Sequence, residues 1–118
     1  MNIDERTFEF ALDIIELYKY IINKNEYILS KQLIRSGTSI GANIQEAQAA
    51  ETKKDFIAKM SIASKEARET LYWLRLLDKS GYLKTYNNAD IIIDKTKSII
   101  NIITKIIITA KKNLSNEK

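Results

Sequence analysis

The sequence predicts an all-α fold, a bundle of four helices running up, down, up and down. Three observations lead there. Proline is absent and glycine occurs three times in 118 residues, so little interrupts a long helix. Apolar residues recur at alternating steps of three and four in four separate segments. The breaks between those segments are short and polar, which suits antiparallel neighbours. The chain reads as one domain over residues 1–118, long enough for a single core, with the 45% apolar and 29% charged content of an ordinary globular protein.

The first helix is expected at about 4–23. Phe8, Ala11, Ile15, Tyr18 and Ile22 make one row, and Phe10, Ile14, Leu17 and Ile21 a second row beside it. Together they give a buried face wider than a coiled-coil seam. Glu5, Glu9, Asp13, Glu16 and Lys19 mostly lie opposite. Asn23-Lys24-Asn25 is a polar break, and a second helix is expected at about 26–51, with Leu29, Leu33, Ile40, Ile44 and Ala47 inward. Gly37 and Gly41 lie inside it, each costing about 1 kcal/mol relative to Ala. Such a pair leaves a flat strip where another helix backbone can come close. A break near Ser36-Gly37 is the alternative, but the periodicity resumes in phase.

Thr52-Lys53-Lys54-Asp55 resembles a capping box, with Asp55 reaching back to Thr52. The third helix is expected at 53–79, its seam Phe56, Met60, Ala63, Ala67, Thr70, Leu74 and Leu77. Gly81 suits the left-handed position just past its end. The fourth helix is expected at about 88–113, starting after Asn87 or Asn88. Its Ile runs are not strands: Ile92, Ile99 and Ile106 repeat every seven residues, as do Ile93, Ile100, Ile107 and Leu114. The tail from Ser115 reads as polar and frayed.

Composition narrows the function. Cysteine and histidine are absent, which removes disulfides, thiolate nucleophiles, Cys/His zinc sites and the commonest general base. There is no Glu-x-x-His pair, phosphate loop, dinucleotide motif or Gly-x-Ser-x-Gly. The expectation is a protein that is not an enzyme, with no cofactor, no metal and no small-molecule substrate. The acidic opening Met1-Asn2-Ile3-Asp4-Glu5 is no signal peptide, and no apolar run reaches the length of a membrane span. A cytoplasmic location follows as an expectation. The net charge of +4 is uneven: residues 1–50 hold 5 basic and 7 acidic side chains, and residues 51–118 hold 14 and 8. Of the basic residues 15 are Lys and 4 are Arg, so part of the excess reflects a Lys-rich composition.

Three constellations stand out. Ser36, Ser39, Asn43 and Glu46 share one face of the second helix, beside the row Arg35, Ser39, Ala42 and Glu46. This polar strip, with Gly37 and Gly41, suits close helix packing with hydrogen bonds across the contact. Arg35 and Glu46 are too far apart to pair, and Glu66 and Glu69 are candidate partners for Arg35. The second is the outer stripe of the third helix: Lys54, Ala58, Ser61, Lys65, Arg68, Tyr72, Arg75 and Lys79, five of eight basic and none acidic. It matches the regular negative charge of a phosphate backbone, and Tyr72 is placed to stack on an unpaired base. A merely solvated helix face is the competing reading, and Glu66 and Glu69 nearby weaken the field. The third is Ile62, Trp73 and Leu76, off the main seam, which read as a second apolar surface for a neighbouring subunit.

The run from Arg35 to Ala47, Arg-Ser-Gly-Thr-Ser-Ile-Gly-Ala-Asn-Ile-Gln-Glu-Ala, resembles the signature of the bacterial four-helix bundle proteins encoded in intervening sequences of 23S ribosomal RNA genes. Further matches follow at Asp55-Phe56, Ile62-Ala63, Glu66-Ala67, Glu69-Thr70, Tyr72-Trp73-Leu74 and Gly81-Tyr82. The similarity spans roughly Phe8 to Lys112; a common family variant has Gly where this chain has Ala47. The resemblance implies a left-handed up-down bundle assembled as a homopentamer, which would carry +20 from five copies at +4 each. It also implies kinship of fold with the accessory protein of diversity-generating retroelements, which binds nucleic acid and a reverse transcriptase. The family's own biochemical function is not established. The resulting expectation is a homo-oligomeric bundle associated with RNA or DNA, against the alternative of a protein-interaction module with no nucleic-acid role.

Overall fold

The computed structural model describes residues 1–117. Its four helices are α1 (Ile3–Ile22), α2 (Leu29–Gln48), α3 (Lys53–Lys79) and α4 (Ala89–Asn116). Contacts along the chain show each helix antiparallel to the next. Gln48 Nε2 donates to Asp4 across α2 and α1 at 3.1 Å, Lys59 meets Glu46 at 3.6 Å, and Lys53 meets Glu117. Lys95 of α4 reaches Asp13 of α1 at 2.8 Å and closes the ring. The result is a rod of 54 × 23 × 20 Å.

The helix ends follow local chemistry. Asn2 caps α1 by accepting from the Glu5 N–H at 2.9 Å, and Thr52 caps α3 by accepting from the Asp55 N–H at 3.0 Å. Among the described residues Asp55 makes no return bond to Thr52, so the cap is one-sided. Gly81 has φ of 92°. The Tyr82 N–H donates to Leu77 O at 3.0 Å and the Gly81 N–H to Asp78 O at 3.1 Å, the double bond of a Schellman ending. Asn88, rather than Asn87, precedes α4, without a side-chain cap bond. α4 continues to Asn116, three residues past the expected end and into the expected frayed tail.

The second helix is shorter than its predicted 26–51. Glu26 is not in it. Its carboxylate is nearly buried and accepts from three N–H groups, those of Ile28, Leu29 and Ser30, at 3.1, 3.0 and 2.7 Å. A side chain placed just before the first turn thus satisfies N–H groups that have no partner inside a helix. Burial pushes the Glu26 carboxyl up, but the three N–H bonds outweigh it and hold it below the ordinary glutamate value.

The core runs through Phe10, Ile14, Leu17 and Ile21 on α1, Leu33, Ile40 and Ile44 on α2, Met60, Leu74 and Leu77 on α3, and Ile92, Ile99 and Ile103 on α4. Only one of the two α1 rows is fully buried. Phe8, from the other row, is 62% exposed. The two glycines explain the choice. A Cβ on Gly37 would lie 2.8 Å from Ile14 Cγ2, and one on Gly41 would lie 3.4 Å from the Thr7 carbonyl. The flat strip therefore admits α1 along Thr7 and Ile14, and that rotates Phe8 outward. Beyond Ile103 no residue of α4 is buried, and Ile108 is largely exposed.

Candidate nucleic-acid interface

α3 turns Met60, Ala63, Ala67, Thr70, Leu74 and Leu77 into the core. That rotation fixes what lies outside. Lys54, Ala58, Lys65, Arg68, Tyr72, Arg75 and Lys79 are all exposed, and Ser61 is half-buried. Among the described residues none of the five cations lies within ion-pair reach of a carboxylate. Elsewhere Lys19, Arg35, Lys53, Lys59 and Lys95 each meet an acid, while eight other described cations, Arg6 and Lys97 among them, do not, so what sets the stripe apart is its alignment along one face.

Two acids beside the middle of the stripe, Glu66 and Glu69, are held from the other side. Arg35 of α2 places Nη1 3.2 Å from Glu66 and Nη2 against Glu69, and its Nε donates to Gln32 at 3.1 Å. Glu69 also accepts from Trp73 Nε1 at 2.9 Å. One guanidinium thus offsets one of the two carboxylate charges that oppose the stripe's field. At the C-terminal end the surface is mixed. Arg75 and Lys79 line a groove between α3 and α4 that also holds Asp78, Asp90, Asp94 and Lys97. The cleanest positive stretch is therefore Lys65 to Tyr72. Tyr72 is 55% exposed there, and its ring meets the Trp73 ring edge-on at 5.1 Å.

The polar strip of α2 runs along the same α2–α3 contact. Ser36 is fully buried, and its Oγ lies 2.9 Å from the Thr70 hydroxyl and 3.3 Å from Leu33 O. The Thr70 hydroxyl is also 2.7 Å from Glu66 O, so two protons serve three contacts. Ser39 and Asn43 do not reach across. Ser39 donates to Arg35 O at 2.6 Å and Asn43 to Ser39 O at 2.8 Å, both within α2. Glu46 pairs with Lys59. Arg35 and Glu46 therefore tie opposite ends of α2 to α3 and do not converge on one site.

The family model for the 23S rRNA-intervening sequence protein matches residues 1–105. The chain belongs to that family. A solved structure of a protein with unknown function from the S23 ribosomal protein family, from Bacteroides thetaiotaomicron, is 44% identical. The match covers 90% of this chain and 98% of that one, with a TM-score of 0.86. No curated protein matches. The high shared coverage means that the four-helix frame of this 23S rRNA-intervening sequence family member is also that of its neighbour.

Within this frame Ile62, Trp73 and Leu76 do not form one apolar patch. Ile62 is 42% and Leu76 37% exposed, but the Arg35–Glu66–Glu69 cluster lies between them. Trp73 is half-buried against the core and anchored by its N–H. Larger exposed apolar side chains lie elsewhere: Phe8 and Leu12 on α1, Ile91 and Ile108 on α4. Phe8 gave no signal of exposure, because both rows of α1 fit the helical period, whereas Leu12, Ile91 and Ile108 lie outside the predicted rows. Among the described residues no helix is long and apolar enough to cross a membrane, and no group of three or more carboxylates is placed to hold a metal ion.

Proposed function

We propose that this chain is a non-enzymatic, homo-oligomeric helical scaffold that associates with RNA or DNA through the outer face of α3. The observation that carries this reading is the set of five exposed cations with no acidic partner, while the neighbouring Glu66 and Glu69 are engaged by Arg35. A phosphate backbone supplies the missing anions and releases its counterions on contact. The family description and the S23 ribosomal neighbour support an RNA context. The test is titration of a labelled RNA at low and moderate salt. Binding that weakens steeply with salt is expected; no binding at low salt by a folded sample contradicts the reading.

The exposed Phe8, Leu12, Ile91 and Ile108 favour a second reading, in which the chain is a protein-interaction module and the stripe only keeps it dissolved. Capture of a single protein partner without nucleic acid would favour that version. Self-association is common to both. Light scattering at micromolar concentration is expected to return a mass above the 13.6 kDa of one chain, and a monomer would refute it.

A further inference from the structure

Tyr72 sits mid-stripe, between Arg68 and Arg75, and it is the stripe's only aromatic residue. Tyr72 is 55% exposed and stands edge-on to Trp73, with the centroids 5.1 Å apart and the planes at 70°. Trp73 is in turn fixed. It packs against the core, and its Nε1–H donates to Glu69 at 2.9 Å. Glu69 is held by Arg35, which reaches over from α2. A chain of contacts from one helix to another therefore ends in an aromatic ring presented to solvent, flanked by unpaired guanidinium groups.

We infer that Tyr72 is a stacking platform for an unpaired base, so that the ligand of the α3 face is a single-stranded polynucleotide. This deepens the reading above and rests on it. Every base offers a π-face, so a single ring surface accepts any sequence once the strand is free of pairing. In a duplex the bases are already stacked, and the ring has nothing to take. Lys65, Arg68 and Arg75 would track the backbone on either side of the stacked base. Glu69 and Trp73 are positioning residues: they set where the ring stands and do not meet the ligand.

The experiment compares three labelled probes on the full chain at low salt: an oligouridylate of about 12 nucleotides, within the usual range of single-strand sites, an oligothymidylate of the same length and an RNA duplex of the same length. Tyr72→Ala is expected to weaken both single strands about 5- to 100-fold and to leave the duplex within about twofold, since stacking with a free base is all that the ring contributes. Tyr72→Phe keeps the ring and is expected to bind like the wild type. Trp73→Phe, which removes the N–H anchored on Glu69 without changing the charge of the face, is expected to weaken single strands and leave the duplex unchanged. Equal losses on duplex and single strand, or no loss on either, would overturn the platform and leave the electrostatic reading standing. Failure of the wild type to bind any probe would end both.

Discussion

The two sides of α3 both carry charged and polar groups and use them in opposite ways. Toward α2, Glu66 and Glu69 meet Arg35, and Thr70 meets the buried Ser36. Every strong polar group on that side has its partner inside the chain. Toward solvent, Lys54, Lys65, Arg68, Arg75 and Lys79 have none among the described residues. Charge matched internally holds two helices in register. Charge left unmatched along one straight face has only solvent or a partner to meet. The contrast also separates what mutation should do: changes on the α2 side should alter stability, and changes on the outer side should alter binding.

The largest expected effect breaks the outer side. Arg68→Glu with Arg75→Glu should lower RNA affinity about 10- to 100-fold, alike for all sequences. Urea unfolding of the same variant should stay within about 0.5 kcal/mol of the wild type, as for other exposed positions. The inner side is tested by Gly37→Ala. The new Cβ would lie 2.8 Å from Cγ2 of the fully buried Ile14, so one of the two helices must shift. Overpacking of this kind costs about 1–3 kcal/mol, more than the about 1 kcal/mol gained from helix propensity. Net destabilisation is expected, with RNA binding per folded molecule unchanged.

Glu26 gives a smaller, pH-dependent effect at the start of α2. Its folded carboxyl is depressed by the three N–H bonds against the opposing effect of burial. The stability it contributes is therefore present above the unfolded value of 4.5 and is lost as pH falls through the lower folded value. Glu26→Gln should cost about 1 kcal/mol at neutral pH, and denaturation curves of the two proteins should converge in acid. The smallest effect sharpens the contrast between the glycines. At Gly41 the added Cβ makes an ordinary 3.4 Å contact with Thr7. Gly41→Ala should be neutral or stabilising by up to about 1 kcal/mol, measured by thermal melting beside Gly37→Ala.

Much of this was legible in the sequence because it depends on period. The seam of α3, Ile92, Ile99 and Ile100 on α4, the close approach at Gly37 and Gly41, the left-handed Gly81 and the outward stripe follow from spacing and residue type, whereas the buried Thr96 and Ile103 lay outside the predicted rows of α4. Reach along a helix also limited Arg35 to partners on another element, and the structure brings it to Glu66 and Glu69. What period cannot decide was not legible. Two adjacent rows on α1 both fit a helix, and the glycines of α2 chose between them. Glutamate is a good helix former, so Glu26 read as the first residue of the helix although its carboxylate serves as the cap before it. Ser39 and Asn43 look like cross-helix donors by position, yet a carbonyl one turn back in α2 is nearer. The separation of Ile62 from Leu76 by an ion cluster depends on where Arg35 lands, which only the packed structure sets.

The most direct test of the outer face is the salt dependence of single-strand binding for the wild type and for Arg68→Gln with Arg75→Gln. If those two guanidinium groups neutralise phosphates, the slope of log affinity against log salt should become shallower by about 1.4, at about 0.7 per phosphate contact. Identical slopes for the two proteins would show that the stripe does not touch the backbone.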